Sequence, residues 1–225
     1  MSDRGYHCIR ELIGAEQGKT ALVVCGGMSG KDWQQYPADF IIAVNGAVTQ
    51  IPDCRYFMCT ECDVVGDYIH TETPAHRILN PRWAKRMARK DNVYAAHKSD
   101  EETDIRNVSA GIWRGPNCSA GGVGTSALGA LHFAGILGCT RVHSVGIDLC
   151  FKSDDAHHWY DERRYFSDLL AGCNQSLVEC RGLRTMPFWV ESAKYLLWWR
   201  DAYATPGRLD WQDHSSGLLQ ALDGA

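Results

Sequence analysis

The chain is predicted to be an α/β protein, a single Rossmann-like domain with a mainly parallel sheet flanked by helices. Three observations carry this reading. Short apolar runs recur at 20–25 (TALVVC), 39–44 (DFIIAV) and 55–60 (RYFMCT). Each is closed by turn or polar residues, which suits strands covered on both faces. A glycine-rich turn, Gly26-Gly27-Met28-Ser29-Gly30, follows the first run directly. The stretch 119–151 then reads as a glycine-rich loop, a helix, a glycine stop and a strand ending in an acid.

Taken in order, 20–25 is the first strand, and the turn after it leads into a helix. The second strand stops at Asn45-Gly46, and the third ends toward Thr60 and Glu61. A fourth is expected at 92–97 (NVYAAH). Thr125 or Ser126 caps a helix running to Leu137, and Gly138 supplies the left-handed stop. A two-residue turn leads to a strand over 141–147, ended by Asp148. Further on, 161–180 reads as helix, 183–186 as a last short strand before Pro187, and 191–203 as a strong helix stopped by Pro206-Gly207. These elements define one domain over 1–206, and the polar remainder 207–225 is expected to be a mobile tail.

Composition narrows the class. At 225 residues the chain suffices for one full α/β domain, and 45% hydrophobic with 22% charged residues is ordinary for a globular protein. A net charge of −4 gives no global field toward nucleic acid or membrane. The first residues lack an apolar signal core, and no apolar run approaches the roughly 20 residues needed to span a bilayer. The expectation is a cytoplasmic protein with no transmembrane segment. Its ten cysteines are then reduced, and most belong to the core. Cys59 and Cys62 form one CxxC, but no second pair follows to complete a zinc site. No metal site is expected.

The polar residues gather where the strands end. Ligands of open parallel sheets bind at the carboxyl ends of the strands. Those ends carry Gly26 and Gly27, Asn45 and Gly46, Thr60, Glu61 and Asp63, and Asp148. The first turn is neither GxGxxG nor a Walker loop, so it marks no standard dinucleotide or P-loop site. Gly121, Gly122 and Gly124 precede Thr125 and Ser126 at a helix start, which suits a phosphate or carboxylate. Past Asp148, His157, His158 and Tyr160 supply a candidate general base and a phosphate-side hydrogen-bond donor. Arg82, Lys85, Arg86, Arg89 and Lys90 recur at helical spacing. That face is ordinarily solvated, yet it permits a polyanion, modified DNA included. The aromatic run at 195–199 suits packing, and it also leaves room for homo-oligomer contact.

In order and spacing, Thr20 to His158 resembles the bacterial sialyltransferase fold, a GT-A-like variant. The residues that carry the likeness are Val24-Cys25-Gly26-Gly27, Ile42-Ala43-Val44-Asn45-Gly46, Gly124-Thr125-Ser126 with Leu137-Gly138, and Val145-Gly146-Ile147-Asp148. The same set is shared by the motility accessory factor glycosyltransferases of flagellin and by the archaeal 6-hydroxymethyl-dihydropterin diphosphokinase family. The resemblance implies a glycosyltransferase that moves a sugar from a nucleotide-activated, CMP-sialic-acid-like donor to the hydroxyl of a glycan or other acceptor. It implies no required cofactor or metal, the nucleotide-sugar being a co-substrate. Gly26, Gly27, Asn45, Thr125 and Ser126 would contact the donor, with Thr60 or Glu61 beside them and His157 or His158 as general base. Two family tyrosines have no clean counterpart. Cys150 stands where one is expected, Tyr160 is the nearest substitute, and Gly27 replaces a family asparagine. Two alternatives follow: an ATP- and Mg²⁺-dependent diphosphokinase using Glu61, Asp63 or Asp148, and a nucleotide-binding module without chemistry.

Overall fold

The computed structural model describes residues 6–59, 68–79, 81–87, 92–95, 125–151, 159, 177–204 and 208–223. Its centre is an eight-stranded sheet in the order β1-β6-β5-β4-β3-β2-β7-β10. The strands are β1 (His7–Cys8), β2 (Thr20–Val24), β3 (Phe40–Val44), β4 (Tyr56–Cys59), β5 (His76–Leu79), β6 (Val93–Ala95), β7 (Arg141–Val145) and β10 (Asp210–Asp213). Every neighbouring pair is parallel. From β2 the chain adds β3, β4, β5 and β6 in one direction. It then returns to the other side of β2 with β7, so the topology reverses between β2 and β7. A separate antiparallel pair joins β8 (Val178–Cys180) to β9 (Leu183–Thr185).

The runs of β2, β3 and β4 are apolar because both faces are covered. Ala21, Val23, Ile42, Val44, Tyr56 and Met58 point to one side, where they pack with α2 (Ser126–Ile136), α3 (Pro187–Tyr203) and α4 (Leu218–Asp223). Leu22, Val24, Ala43, Phe57 and Cys59 point to the other, under a layer that includes Val48 and Ile51, Ala84 of α1 (Pro81–Arg86) and Trp33 of the 3-10 helix Met28–Gln35. Five of the cysteines expected in the core are buried there: Cys25, Cys54, Cys59, Cys139 and Cys150. Burial pushes the Cys54 thiol up to about 11 and the Cys139 thiol up to about 12, so neither is poised as a thiolate.

Helix α2 is oriented by both of its ends. Its last carbonyls, on Ile136 and Leu137, and that of Gly138 accept from the amides of Gly14, Glu16 and Gly18 at 3.0, 2.9 and 2.9 Å, in the loop entering β2. Gly138 takes φ +84°, the left-handed conformation that ends the helix. At the other end, a side chain on Gly129 would touch Met58 Sδ near the end of β4. The helix therefore runs opposite to the strands and delivers its N-terminus to their carboxyl edge. The amino edge is pinned by Glu16, only 1% exposed, which accepts from Tyr56 Oη at 2.9 Å and pairs with Lys19 at 2.7 Å and Arg55 at 2.5 Å. Burial works to raise the Glu16 carboxyl, and these partners outweigh it, leaving it below the usual range.

Three expectations are corrected. The segment beyond 206 is no loose tail: Asp210–Asp213 is the edge strand β10, paired with β7, and Leu218 and Leu219 of α4 are buried. The sequence DWQD hides a strand because an edge position half-exposes most of its residues, so no apolar run forms. The helix expected over 161–180 ends differently, since Val178–Cys180 is a strand, and most of that stretch lies outside the described residues. Pro187, read as the residue after a last strand, is the first residue of α3, a position that needs no amide donor.

Candidate functional site

The carboxyl edge of the sheet divides at β2. On the β7 side the chain fills the crevice with its own groups. After β2, Gly27 N–H donates to Gly146 O at 2.8 Å, and a side chain on Gly27 would lie 2.7 Å from that oxygen and 2.8 Å from Asp148 Cγ. Gly146 itself takes φ +82°, with no room for a side chain beside Cys25 O. Ser29 locks the contact. Its amide donates to Asp148 Oδ2 at 3.0 Å, its hydroxyl donates to Asp148 Oδ1, and the same hydroxyl accepts from Gly146 N–H at 3.0 Å. Asp148 is 1% exposed.

Asp148 is also held from the C-terminal segment. Ser216 N–H reaches its Oδ1 at 3.3 Å and Leu218 N–H its backbone oxygen at 2.8 Å. Beside it, Ile147 N–H donates to Ser215 Oγ at 2.8 Å. Ser215 and Ser144 donate to Asp213 Oδ1 at 2.8 and 2.6 Å. Burial raises the Asp213 carboxyl above its ordinary range, against these hydrogen bonds and with a further push from the Asp148 charge. Of the residues expected to touch a ligand, Gly27 and Asp148 are therefore placed as the packing and the brace of the first turn.

On the β3–β4 side an acceptor is left unmade among the described residues. Asn45 follows β3 with φ +52°, a left-handed backbone that asparagine tolerates better than most residues. Its Oδ1 is buried and has no hydrogen-bond partner among the described residues. A buried acceptor left unmade costs about 1–3 kcal/mol. Gly46 O accepts from Thr49 Oγ1 at 2.8 Å, which closes the short 3-10 helix Asn45–Thr49. At the same edge of the sheet, α2 presents its first turn. Thr125 is the N-cap, its Oγ1 accepting from Leu128 N–H at 3.3 Å, and Ser126 is buried behind it. The remaining first-turn amides and the helix dipole favour an anion.

Trp159 is a residue that sequence reasoning passed over. Its backbone N–H donates to Gly26 O at 3.1 Å and its indole Nε1–H to Cys25 O at 2.9 Å. The indole occupies the space that a side chain on Gly30 would need. Trp159, which clasps the first turn, stands between His158 and Tyr160 in the sequence. A tryptophan set between polar residues was the available signal. His157, His158, Tyr160, Thr60, Glu61, Asp63 and Gly124 lie outside the described residues, as do Arg89 and Lys90 of the basic face. Lys85 and Arg86 of that face are exposed, with Arg86 over the Trp83 ring at 4.5 Å.

Fold and edge together define a doubly wound, all-parallel α/β sheet with polar groups and a helix N-terminus at the carboxyl ends of its strands. No family model and no curated protein matches the chain. Among solved structures it is similar to a MAf glycosyltransferase from Magnetospirillum magneticum AMB-1, with 14% identity and a TM-score of 0.50. The alignment covers 96% of this chain and 37% of that one, so the chain spans little more than a third of its neighbour's length. The likeness bears out the Rossmann-like α/β fold. No described helix is long and apolar enough to cross a membrane.

Proposed function

We propose that the chain is a glycosyltransferase that binds a nucleotide-activated sugar at the carboxyl ends of β2 and β3, beneath the N-terminus of α2. The observation that carries this reading is the buried Oδ1 of Asn45, unpartnered among the described residues and at the same sheet edge as a helix start suited to phosphate. A nucleotide offers both complements, a donor N–H or hydroxyl for the amide oxygen and a phosphate for the helix. The fold shared with a MAf glycosyltransferase favours a sugar nucleotide over other nucleotides. A CMP-sialic-acid-like donor is the preferred form.

In this reading Gly26, Asn45, Thr125 and Ser126 contact the donor, with Thr60 or Glu61 at the end of β4. His157 or His158 takes the proton of the acceptor hydroxyl, whose oxygen attacks the anomeric carbon. The nucleoside phosphate leaves toward the α2 start, with Tyr160 as a hydrogen-bond donor and no metal in the step. A thermal-shift panel of CMP, CDP, CTP, UDP-sugars, GDP-sugars and ATP, with and without magnesium, tests the donor site. A bound nucleotide raises the melting temperature by mass action, and CMP or CTP should do so without magnesium. A response to ATP with magnesium alone contradicts the reading. Full transfer by both His157→Ala and His158→Ala would remove the histidine base.

A further inference from the structure

The C-terminal segment that braces Asp148 is entered through His214, and His214 faces His143 of β7. His143 Nδ1 and His214 Nε2 are 2.9 Å apart, and the ring centroids are 5.1 Å apart. The centroid separation exceeds the nitrogen separation by about two ring radii, so the two nitrogens point at one another across a shared hydrogen. Tyr36, at the end of the 3-10 helix Met28–Gln35, stacks on His214 with centroids 4.0 Å apart and planes 12° apart. Three separate pieces of chain thus meet at one N–H···N bond.

Proton counting gives this bond two regimes. A neutral pair has one donor and one acceptor nitrogen facing each other. One added proton leaves a charge-assisted version of the same bond. A second added proton leaves two N–H groups and two positive charges head to head, and the bond is lost. We propose that His143 and His214 form a proton-operated latch, closed while one ring is neutral and released when both are protonated, which fastens the 214–218 brace to the end of β7.

The surroundings sharpen the second step. Burial, then the His214 charge, then Arg141 lower the proton affinity of His143, and Asp210 opposes them. Arg141 and Asp210 are themselves paired at 2.8 Å. The neighbours of His143 across the sheet, Leu22 on β2 and Gln212 on β10, carry no charge, and Tyr36 presents a ring to His214. Asp213 turns to Ser144 and Ser215. Downstream of the latch, His214 N–H donates to Ser144 O at 2.8 Å, and Ser216 and Leu218 then hold Asp148, which holds Ser29. The effect of release on a bound nucleotide rests on the function proposed above, whereas the latch itself does not.

The test is residue-resolved amide hydrogen exchange and ¹⁵N-histidine NMR on the full chain at pH 7.5 and 5.0. His132, pushed down to about 3 by burial, and His76, lowered chiefly by burial, weaken the whole fold in acid. The amides of Val23 and Ile42 therefore serve as internal references. The latch predicts that protection at His214, Ser216 and Leu218 falls tenfold or more relative to those references on acidification. It also predicts that His143→Gln and His214→Gln abolish the pH response of the segment. Equal protection at both pH values overturns the proposal, as does an unchanged pH response in both variants. Should neither variant fold, two wild-type rings that titrate independently at ordinary midpoints overturn it. The nucleotide panel at pH 7.5 reads the proposed function separately.

Discussion

Two neighbouring parts of the carboxyl edge are built in opposite ways. Between β2 and β7, where the topology reverses, Gly27, Ser29, Gly146 and Asp148 satisfy one another through direct hydrogen bonds. Between β3 and β4, Asn45 buries an acceptor that no described residue satisfies. The reversal point of such a sheet is where a ligand is ordinarily sought. In this protein the crevice there is occupied by the fold itself, and the unmade acceptor of Asn45 lies one strand over. Residues that look alike in sequence, each a polar group or glycine at a strand end, thus divide into a closed brace and a strand end with an unmade acceptor.

The contrast predicts a graded set of responses. Asp148→Asn keeps the shape of the side chain but turns one acceptor oxygen into a donor, among the donors Ser29 N–H, Ser29 Oγ–H and Ser216 N–H. A loss of about 3 kcal/mol in urea unfolding is expected, the scale of a broken buried network around a charged group. A cost below about 1 kcal/mol would erase the distinction between the two sides. Gly27→Ala drives a methyl against Gly146 O and the Asp148 carboxyl group, with an expected loss of about 2 kcal/mol in the same measurement. A neutral outcome would mean that the turn can give way, and so that the crevice is less closed than the packing indicates.

On the open side the stability effects shrink. Thr125→Ala removes the α2 cap and should cost about 1 kcal/mol. It should also weaken nucleotide binding if the helix start holds phosphate. Binding unchanged in this variant would shift the phosphate away from α2.

Much of the frame was legible because burial writes itself into sequence. β2, β3 and β4 are covered on both faces, so each appears as an apolar run, and the Thr125 cap and Gly138 stop bound α2 as expected. β10 was not legible, since an edge strand with a polar alternation resembles a loop. β5 was missed because HRIL carries Arg77, which is buried with its Nη2 donating to Thr71 O at 2.9 Å. The brace was hidden for a different reason. Ser29 and Asp148 are 119 positions apart, and no local pattern announces that a serine after one strand completes an aspartate after another. Asn45 was singled out as a strand-end residue, but its unsatisfied oxygen became visible only with its neighbours in place.

Asn45→Ala offers the most direct test of the central claim, that the open side is a ligand surface and the closed side is not. Relief of the unmade acceptor, about 1–3 kcal/mol, works against the strain of alanine at φ +52°, about 1–2 kcal/mol, so urea unfolding of the unliganded protein should show no loss beyond about 1 kcal/mol. The melting-temperature rise that a cytidine nucleotide gives the wild type should disappear. An Asn45→Ala protein that is as stable as the wild type and no longer responds to the nucleotide is the result this account predicts. A variant that keeps the full nucleotide response, or a wild type that responds to no nucleotide, would contradict it.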